Sequence, residues 1–393
     1  MLDLEGDLEF LRRQALLRRL REITARRGTE VEYSGKALVD FSSNDYLGLA
    51  EAPFLREAAK AAIDEWGVGA GASRLVSGTR SPHLRLEERL AAFKGTEAAL
   101  CFSSGYASAV GTISALMGKG DVLILDKLVH ASMVDGARLS GAIIRVFPHN
   151  NLNKLEGHLQ WARREHPKGR VMILTESVFS MDGDRAPLAE IVEIKDQYGA
   201  ILMVDEAHAV GVIGREGRGL ADRLGVANRI EIQMGTLSKA LGGTGGYICG
   251  SRCLIDYLIN RARSFVYSTA PAPATAATAL AALDFLQSPE GEARRKQLWD
   301  NLKLLAEGLP VGRVPERLQS AIVPIVIGDE AEALGASKLL YEKGFYVPAI
   351  RYPTVAKGAA RLRVTVSAGH TPEQIRAFTA ALQALEEDPA SAQ

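Results

Sequence analysis

The sequence predicts an α/β protein: a mostly parallel central sheet with helices on both faces, followed by a small C-terminal α+β domain. Three observations predict it. Short apolar-rich runs, DVLILD (121–126), VMILT (171–175), AILMVD (200–205) and RIEIQM (229–234), alternate with helical stretches between Ala37 and about Pro271. Strands covered on both sides by crossover helices read this way, because neither face meets water. Near Pro271 and Pro273 the texture changes to a long Ala/Leu helix, and from about Gln287 a mixed strand and helix pattern follows. The expected division is an N-terminal helix and arm over 1–40, a large domain over 41–286 and a small domain over 287–393.

Taken in order, residues from about Asp7 to Arg27 read as a basic amphipathic helix, with Phe10, Leu11, Leu17 and Leu20 as its apolar side. Ser104-Gly105-Tyr106 opens an apolar helix (SAVGTISALM). The small domain has a strand at AIVPIVIG (321–328), a helix through ALGASKLLYEKG (333–344), a strand at ARLRVTVSA (360–368) and a closing helix from Pro372. In the second of those strands Arg361 and Arg363 share one face, while Leu362, Val364 and Val366 share the other. One guanidinium, Arg363 in this reading, can then clamp a carboxylate bidentately, with the other left to structure.

Acidic and basic residues balance at 47 each, and no basic block stands out, which argues against a nucleic-acid or anionic-membrane partner. No apolar run approaches the length of a membrane span. The opening MLDLEGDLEF carries acids early and has no apolar signal core, so the expected address is the cytoplasm. Cys101, Cys249 and Cys253 form no C-x-x-C pair and lack the further ligands of a zinc site. Buried thiols in a reducing compartment, and no metal, are expected.

Ligands of open α/β sheets sit beyond the carboxyl ends of the parallel strands. Those ends offer His130, then Glu176 and Ser180, then Asp205 and His208, then Thr236, Ser238 and Lys239. A Schiff-base lysine must react as the free amine, and pyridoxal phosphate needs an acidic partner for its ring nitrogen. Lys239 and Asp205 suit those two roles. The helix start at Gly105 and Tyr106 suits a phosphate, with Thr236 and Ser238 as hydroxyl donors. His130 could lie flat on the ring, and His208 could bond its phenolic oxygen.

Other readings compete. Asp205-Glu206-Ala207-His208 spells a helicase motor box, but the sequence has no G-x-x-x-x-G-K-[ST] loop to serve it. Gly67-Val-Gly69-Ala-Gly71 resembles a dinucleotide loop, yet follows a helical stretch and misplaces its third glycine. Gly242-Gly243-Thr-Gly245-Gly246 reads as a close backbone approach beside the lysine. Ser180 could simply cap a turn. His83, His149, His158, His166 and His370 are assigned no chemistry.

Read in order, these residues resemble the α-oxoamine synthase family of fold-type-I pyridoxal-phosphate enzymes. The matching stretches include FSSNDYLGLA (41–50), SRLVSGT (73–79), SSGYASA (103–109), HASMVDGARLSGA (130–142) and ESVFSMDGDRAPL (176–188). They continue through VDEAHAVGVIGREGRG (204–219), GTLSKALGGTGGYI (235–248), YSTAPAP (267–273) and RLRVTVSAGHT (361–371). The resemblance implies that Lys239 carries the cofactor, Asp205 partners its ring nitrogen and His130 stacks on the ring. It implies His208 and Ser180 at the phenolic side, and Gly105, Tyr106 and Thr236 at the phosphate. Thr269 would reach the phosphate of a neighbouring subunit, which implies a homodimer with shared sites.

Members join an amino acid to an acyl thioester with loss of carbon dioxide. RYPTVAKGAARLRVTV (351–366) looks most like the branch that joins L-alanine to a pimeloyl thioester in the biotin pathway. That branch implies Arg18 and Thr354 as acyl contacts, with Asn44, His130 and Arg363 also at substrate. The glycine-using branches, first among them 2-amino-3-ketobutyrate CoA ligase, are the alternatives within the family, and an aminotransferase of the same fold is the alternative outside it.

Overall fold

The computed structural model describes residues 4–309 and 318–387. Of these, the residues within Met1–Gly48, Met181–Gly183 and Lys296–Gln393 form one unit, and those of Leu49–Ser180 and Asp184–Arg295 a second.

The first unit begins with a helix at Leu4–Arg13 and three strands, β1 (Ile23–Arg27), β2 (Glu30–Tyr33) and β3 (Lys36–Asp40). The helix expected as far as Arg27 therefore stops at Arg13. Ala15 takes a left-handed φ of 53°, and the N–H groups of Leu16 and Leu17 both fold back onto the Leu11 carbonyl. The chain after this turn is extended, and β-branched Ile23 and Thr24 open a strand that pairs antiparallel with β2. Leu20, expected on the apolar side of a helix, is fully exposed.

The second unit is built on a seven-stranded sheet of β4 (Ala98–Phe102), β5 (Val122–Asp126), β6 (Ile143–Phe147), β7 (Val171–Glu176), β8 (Ile201–Asp205), β9 (Ile232–Thr236) and β10 (Gly246–Gly250). Its order is β4-β10-β9-β8-β7-β5-β6, and only β10 runs against the others. The apolar runs read from the sequence are β5, β7 and β8. The run at 229–234 is shifted, because Ala227–Arg229 forms a 3-10 turn and the strand starts at Ile232. Side chains of β4, β5, β7 and β8 pack with Ala109, Ile113, Met133 and Ala137 of two neighbouring helices into a continuous core.

The first unit resumes with β11 (Ile322–Gly328), β12 (Phe345–Tyr346), β13 (Ala349–Ile350) and β14 (Ala360–Thr365), with helices at Glu330–Glu342 and Pro372–Glu387. β14 is the centre of an antiparallel sheet between β11 and β13, while β12 adds to β3 in parallel. His370 belongs to this unit's packing: its ring stacks on Phe41 at 4.1 Å, accepts from Ser367 N–H and donates to the Asp40 carbonyl. Burial holds it down to about 4, so it is a neutral structural histidine.

Candidate active site

In the second unit the carboxyl ends of β4, β5, β7, β8 and β9 all face one way and set the candidate residues on one rim. β4 leads into the helix Gly105–Leu116, whose N-cap Ser104 accepts from Ala107 N–H at 3.1 Å. The first N–H groups of a helix have no intrahelical acceptor, so Gly105 and Tyr106 open an anion-attracting end. The packing demands glycine here. A Cβ on Gly105 would lie 2.6 Å from Thr236 Cγ2, and one on Gly246 would lie 2.6 Å from Gly105 Cα. Beside this helix start, at the end of β9, Thr236 is buried and its Oγ1 has no hydrogen-bond partner among the described residues. Tyr106 contributes no phenol, since its exposed hydroxyl donates to Asp135 Oδ2 at 2.9 Å.

The next strand ends converge electrostatically. Glu176 pairs with Asp205 across β7 and β8, and Asp205 with Met234 across β8 and β9. Asp205 is buried, accepts from Ala207 N–H at 2.8 Å, and is pushed up by burial while Lys239 pulls it back down. His130 caps the helix Ala131–Ser140, with Nδ1 2.8 Å from Ser132 Oγ. His130 is exposed, yet desolvation by its neighbours lowers its basicity, which Asp205 opposes and Lys239 reinforces. Three side chains from three strand ends thus feel one another's charge. His208 and Ser180 are buried in the turns after β8 and β7.

Lys239 is half-buried in a tight turn closed by Leu237 N–H to the Gly245 carbonyl at 2.9 Å and Gly242 N–H to the Lys239 carbonyl at 2.9 Å. Gly242 sits at φ +68°, and a Cβ there would lie 2.6 Å from Ala50 N. The glycine run is therefore a close backbone approach. Thr269 is exposed, next to a bridge that ties it to Ser73.

In the first unit the two arginines of β14 part company. Arg361 donates through Nη1 to Asp182 Oδ1 at 2.7 Å and through Nε to the Ala359 carbonyl at 3.1 Å. Arg363 donates through Nη1 to Asn44 Oδ1 at 3.1 Å. Arg18 and Thr354, named separately from the sequence, meet through Nη2 to Oγ1 at 2.9 Å. Burial, then repulsion from Arg18 and Arg21, pulls the Arg351 guanidinium below its ordinary value, which marks this corner as electropositive.

A family profile described as aminotransferase class I and II matches residues 36–382. This chain belongs to that family. Among relatives, an 8-amino-7-oxononanoate synthase from Geobacter sulfurreducens is 49% identical over 378 residues, 96% of each chain. A solved serine palmitoyltransferase from S. paucimobilis, carrying a PLP–myriocin aldimine, is 31% identical with a TM-score of 0.91 over 98% of both chains. A solved 8-amino-7-oxononanoate synthase from Francisella tularensis is 30% identical with a TM-score of 0.72, over 89% of this chain and 98% of that one. The fold is that of the fold-type-I transferases, as the sheet order and the small C-terminal sheet already indicated.

Family membership explains the strand-end rim but leaves some residues to the structure alone. Glu176 had no role in the sequence reading beyond its place after an apolar run. His149, assigned no chemistry, lies 3.0 Å from Asp126 Oδ1 and 2.8 Å from Asp184 Oδ2. Its signal was available only as an imidazole among acids far apart in sequence. The cysteine expectation is corrected in part. Cys101 and Cys249 are buried, with burial raising both thiols and Cys249 reaching about 12, but Cys253 lies exposed in the first turn of the helix Arg252–Arg261. Among the described residues no cluster of three metal-binding side chains occurs, and no helix is long and apolar enough to cross a membrane.

Proposed function

We propose that this chain condenses L-alanine with a pimeloyl thioester to give 8-amino-7-oxononanoate, carbon dioxide and the free thiol, a step of biotin biosynthesis. It is an acyltransferase dependent on pyridoxal 5'-phosphate. The observation that carries the reading is the mutual charge coupling of Lys239, Asp205 and His130 at strand ends of one rim, in a chain so similar to named synthases.

The residues fit the cofactor. A helix start and the orphaned Thr236 hydroxyl suit a phosphate, and a buried carboxylate beside a lysine suits a ring nitrogen and an aldehyde. When bound, pyridoxal phosphate supplies an electron sink that acidifies the amino acid's Cα–H. The chain's own residues do the rest. Lys239 Nζ would attach the cofactor, and its free amine would take the Cα proton and return one. Asp205, beside Lys239, would pair with the ring nitrogen. His130, its basicity lowered by desolvation, would lie against the ring. Ser180 and His208 would meet the phenolic oxygen, and Gly105, Tyr106 and Thr236 the phosphate. Arg363 with Asn44 takes the alanine carboxylate.

Arg18 with Thr354 takes the far carboxylate of the acyl chain. An aliphatic palmitoyl tail would gain nothing from this arginine and would lose by desolvating it. The charged contact contributes about 1.5–3 kcal/mol, worth roughly tenfold or more between acyl chains. The test is thiol release across a panel of amino acids and acyl thioesters. Alanine with pimeloyl-CoA is expected to lead, and Arg18→Ala to lower use of the pimeloyl thioester about tenfold while alanine binding is kept. A preference for glycine with acetyl-CoA would replace this reading with the ketobutyrate ligase.

The exposed Thr269 supports a homodimer in which it reaches the neighbour's phosphate. Mixing inactive Lys239→Ala and Thr269→Ala protomers should then restore part of the activity, and a fully active monomer in sedimentation would refute the sharing. The balanced charge supports a cytoplasmic enzyme without nucleic-acid or membrane partners.

A further inference from the structure

Glu176 is the last residue of β7 and is 1% exposed, so its carboxyl is as deeply buried as the sheet itself. It is also in parallel register with Asp205, one strand away. Neighbouring strands lie about 4.8 Å apart and paired residues project to the same face. Two ionised carboxylates there would repel at close range inside the protein, and such pairs keep one proton between them. The proton's place is decided by the surroundings. Asp205 has Lys239 as the leading charge that stabilises its ionised form, together with Ala207 N–H. Among the described residues Glu176 Oε1 has no hydrogen-bond partner. Burying an unpartnered anionic oxygen costs far more than burying a neutral acid. Burial first, then the charge of Asp205, push Glu176 well above the usual carboxylate range, and Lys239 only partly offsets them.

The carboxyl is nonetheless engaged. Its Oε2 accepts from Ser180 N–H at 3.2 Å, and the backbone N–H of His130 lies near enough to favour its charged form. His130 follows β5 and Ser180 follows β7, so one side chain ties together the two turns that carry the ring-stacking imidazole and the phenolic-side hydroxyl. We propose that Glu176 is a positioning residue: an uncharged carboxylic acid that braces His130 and Ser180 and leaves Asp205 as the only ionised carboxylate of the pair. The proposal rests on the reading of His130 and Ser180 as cofactor contacts.

The test uses the full chain, with and without pyridoxal phosphate, as wild type, Glu176→Gln and Glu176→Met. Glutamine reproduces a neutral acid's carbonyl acceptor, whereas methionine keeps the bulk and removes the acceptor. In the cofactor-free protein an infrared band of a protonated carboxyl should persist at neutral pH and vanish in E176Q. With cofactor, E176Q should bind pyridoxal phosphate within about threefold of wild type, and E176M about tenfold more weakly, since the Ser180 N–H loses its acceptor and the His130 N–H its polar neighbour. The pH midpoint of the bound cofactor's absorption should stay put in E176Q. If Glu176 were ionised, removing its charge beside Lys239 would lower that midpoint by on the order of one unit. Such a shift, a missing infrared band, or an E176M protein that binds like wild type would overturn the proposal. Failure of the parent reading shows separately, as a wild-type cofactor absorption that does not depend on Lys239.

Discussion

The strand-end rim of the second unit and strand β14 of the first both bury charged side chains, yet they use them in opposite ways. On β14, Arg361 and Arg363 are two residues apart, equally buried at 7% exposure, and on one face. Arg361 is committed to the Asp182 carboxylate and to main-chain carbonyls. Arg363 offers a nitrogen to the neutral amide of Asn44. At the rim, Asp205, Lys239 and His130 perturb one another's protonation, and their turns are held by main-chain bonds and glycine contacts. A charge closed off by an opposite charge stabilises the fold. A charge set in a turn among neighbours that shift its protonation is available for chemistry.

The harshest way to break this contrast is at Lys239. Lys239→Ala should abolish both turnover and the lysine-dependent absorption of bound pyridoxal phosphate, because the attaching amine and the Cα base vanish together. An unchanged cofactor spectrum in the purified variant would show the rim to be misread. Asp205→Asn should retain some cofactor and lose turnover on the order of a hundredfold or more, since a neutral amide cannot hold the ring proton. Wild-type rates in that variant would give Asp205 another role.

The β14 pair sharpens the contrast. Arg363→Ala should raise the KM for alanine by about tenfold. Arg361→Ala should instead lower stability by about 1–3 kcal/mol, because Asp182 and two carbonyls lose their donor. Calorimetry and steady-state kinetics on both variants would refute the division if the two losses came out the same.

The smallest effect on turnover is expected at His149, which sits on the second unit but behaves like Arg361. Burial alone would lower its pKa, but its bonds to Asp126 and Asp184 override this and hold it at about 10 against an ordinary 6.5. A histidine raised on folding adds stability that is complete below about 6.5 and lost as pH climbs through about 10. Denaturant titrations should therefore show wild type weakening across that window, and His149→Gln losing that part of the pH dependence. Parallel curves would mean that the imidazole is not charged in the fold.

Much of this was legible in the chain. β5, β7 and β8 are covered on both faces, so their residues are apolar almost without interruption and show themselves locally. β4 and β10 do not. AALCF merges into the small-residue texture around it, and GYICG is bounded by Gly246, which serves the Gly105 approach, and Gly250, which makes room for Leu254. The N-terminal helix is shorter than its apolar spacing, which continues past Arg13, because its stop depends on the backbone of Ala15.

The sequence by itself determined the α/β class, the strand ends that carry Lys239, Asp205 and His130, and the glycines beside them. Burial and periodicity are properties of short stretches, and a strand's end marks its own rim. Only the tertiary structure decided which β14 arginine meets a carboxylate, that Arg18 reaches Thr354, and that Glu176 braces two turns. Those choices depend on partners brought together by folding, and a hydrogen bond is decided within about 3 Å, a distance that sequence spacing does not encode.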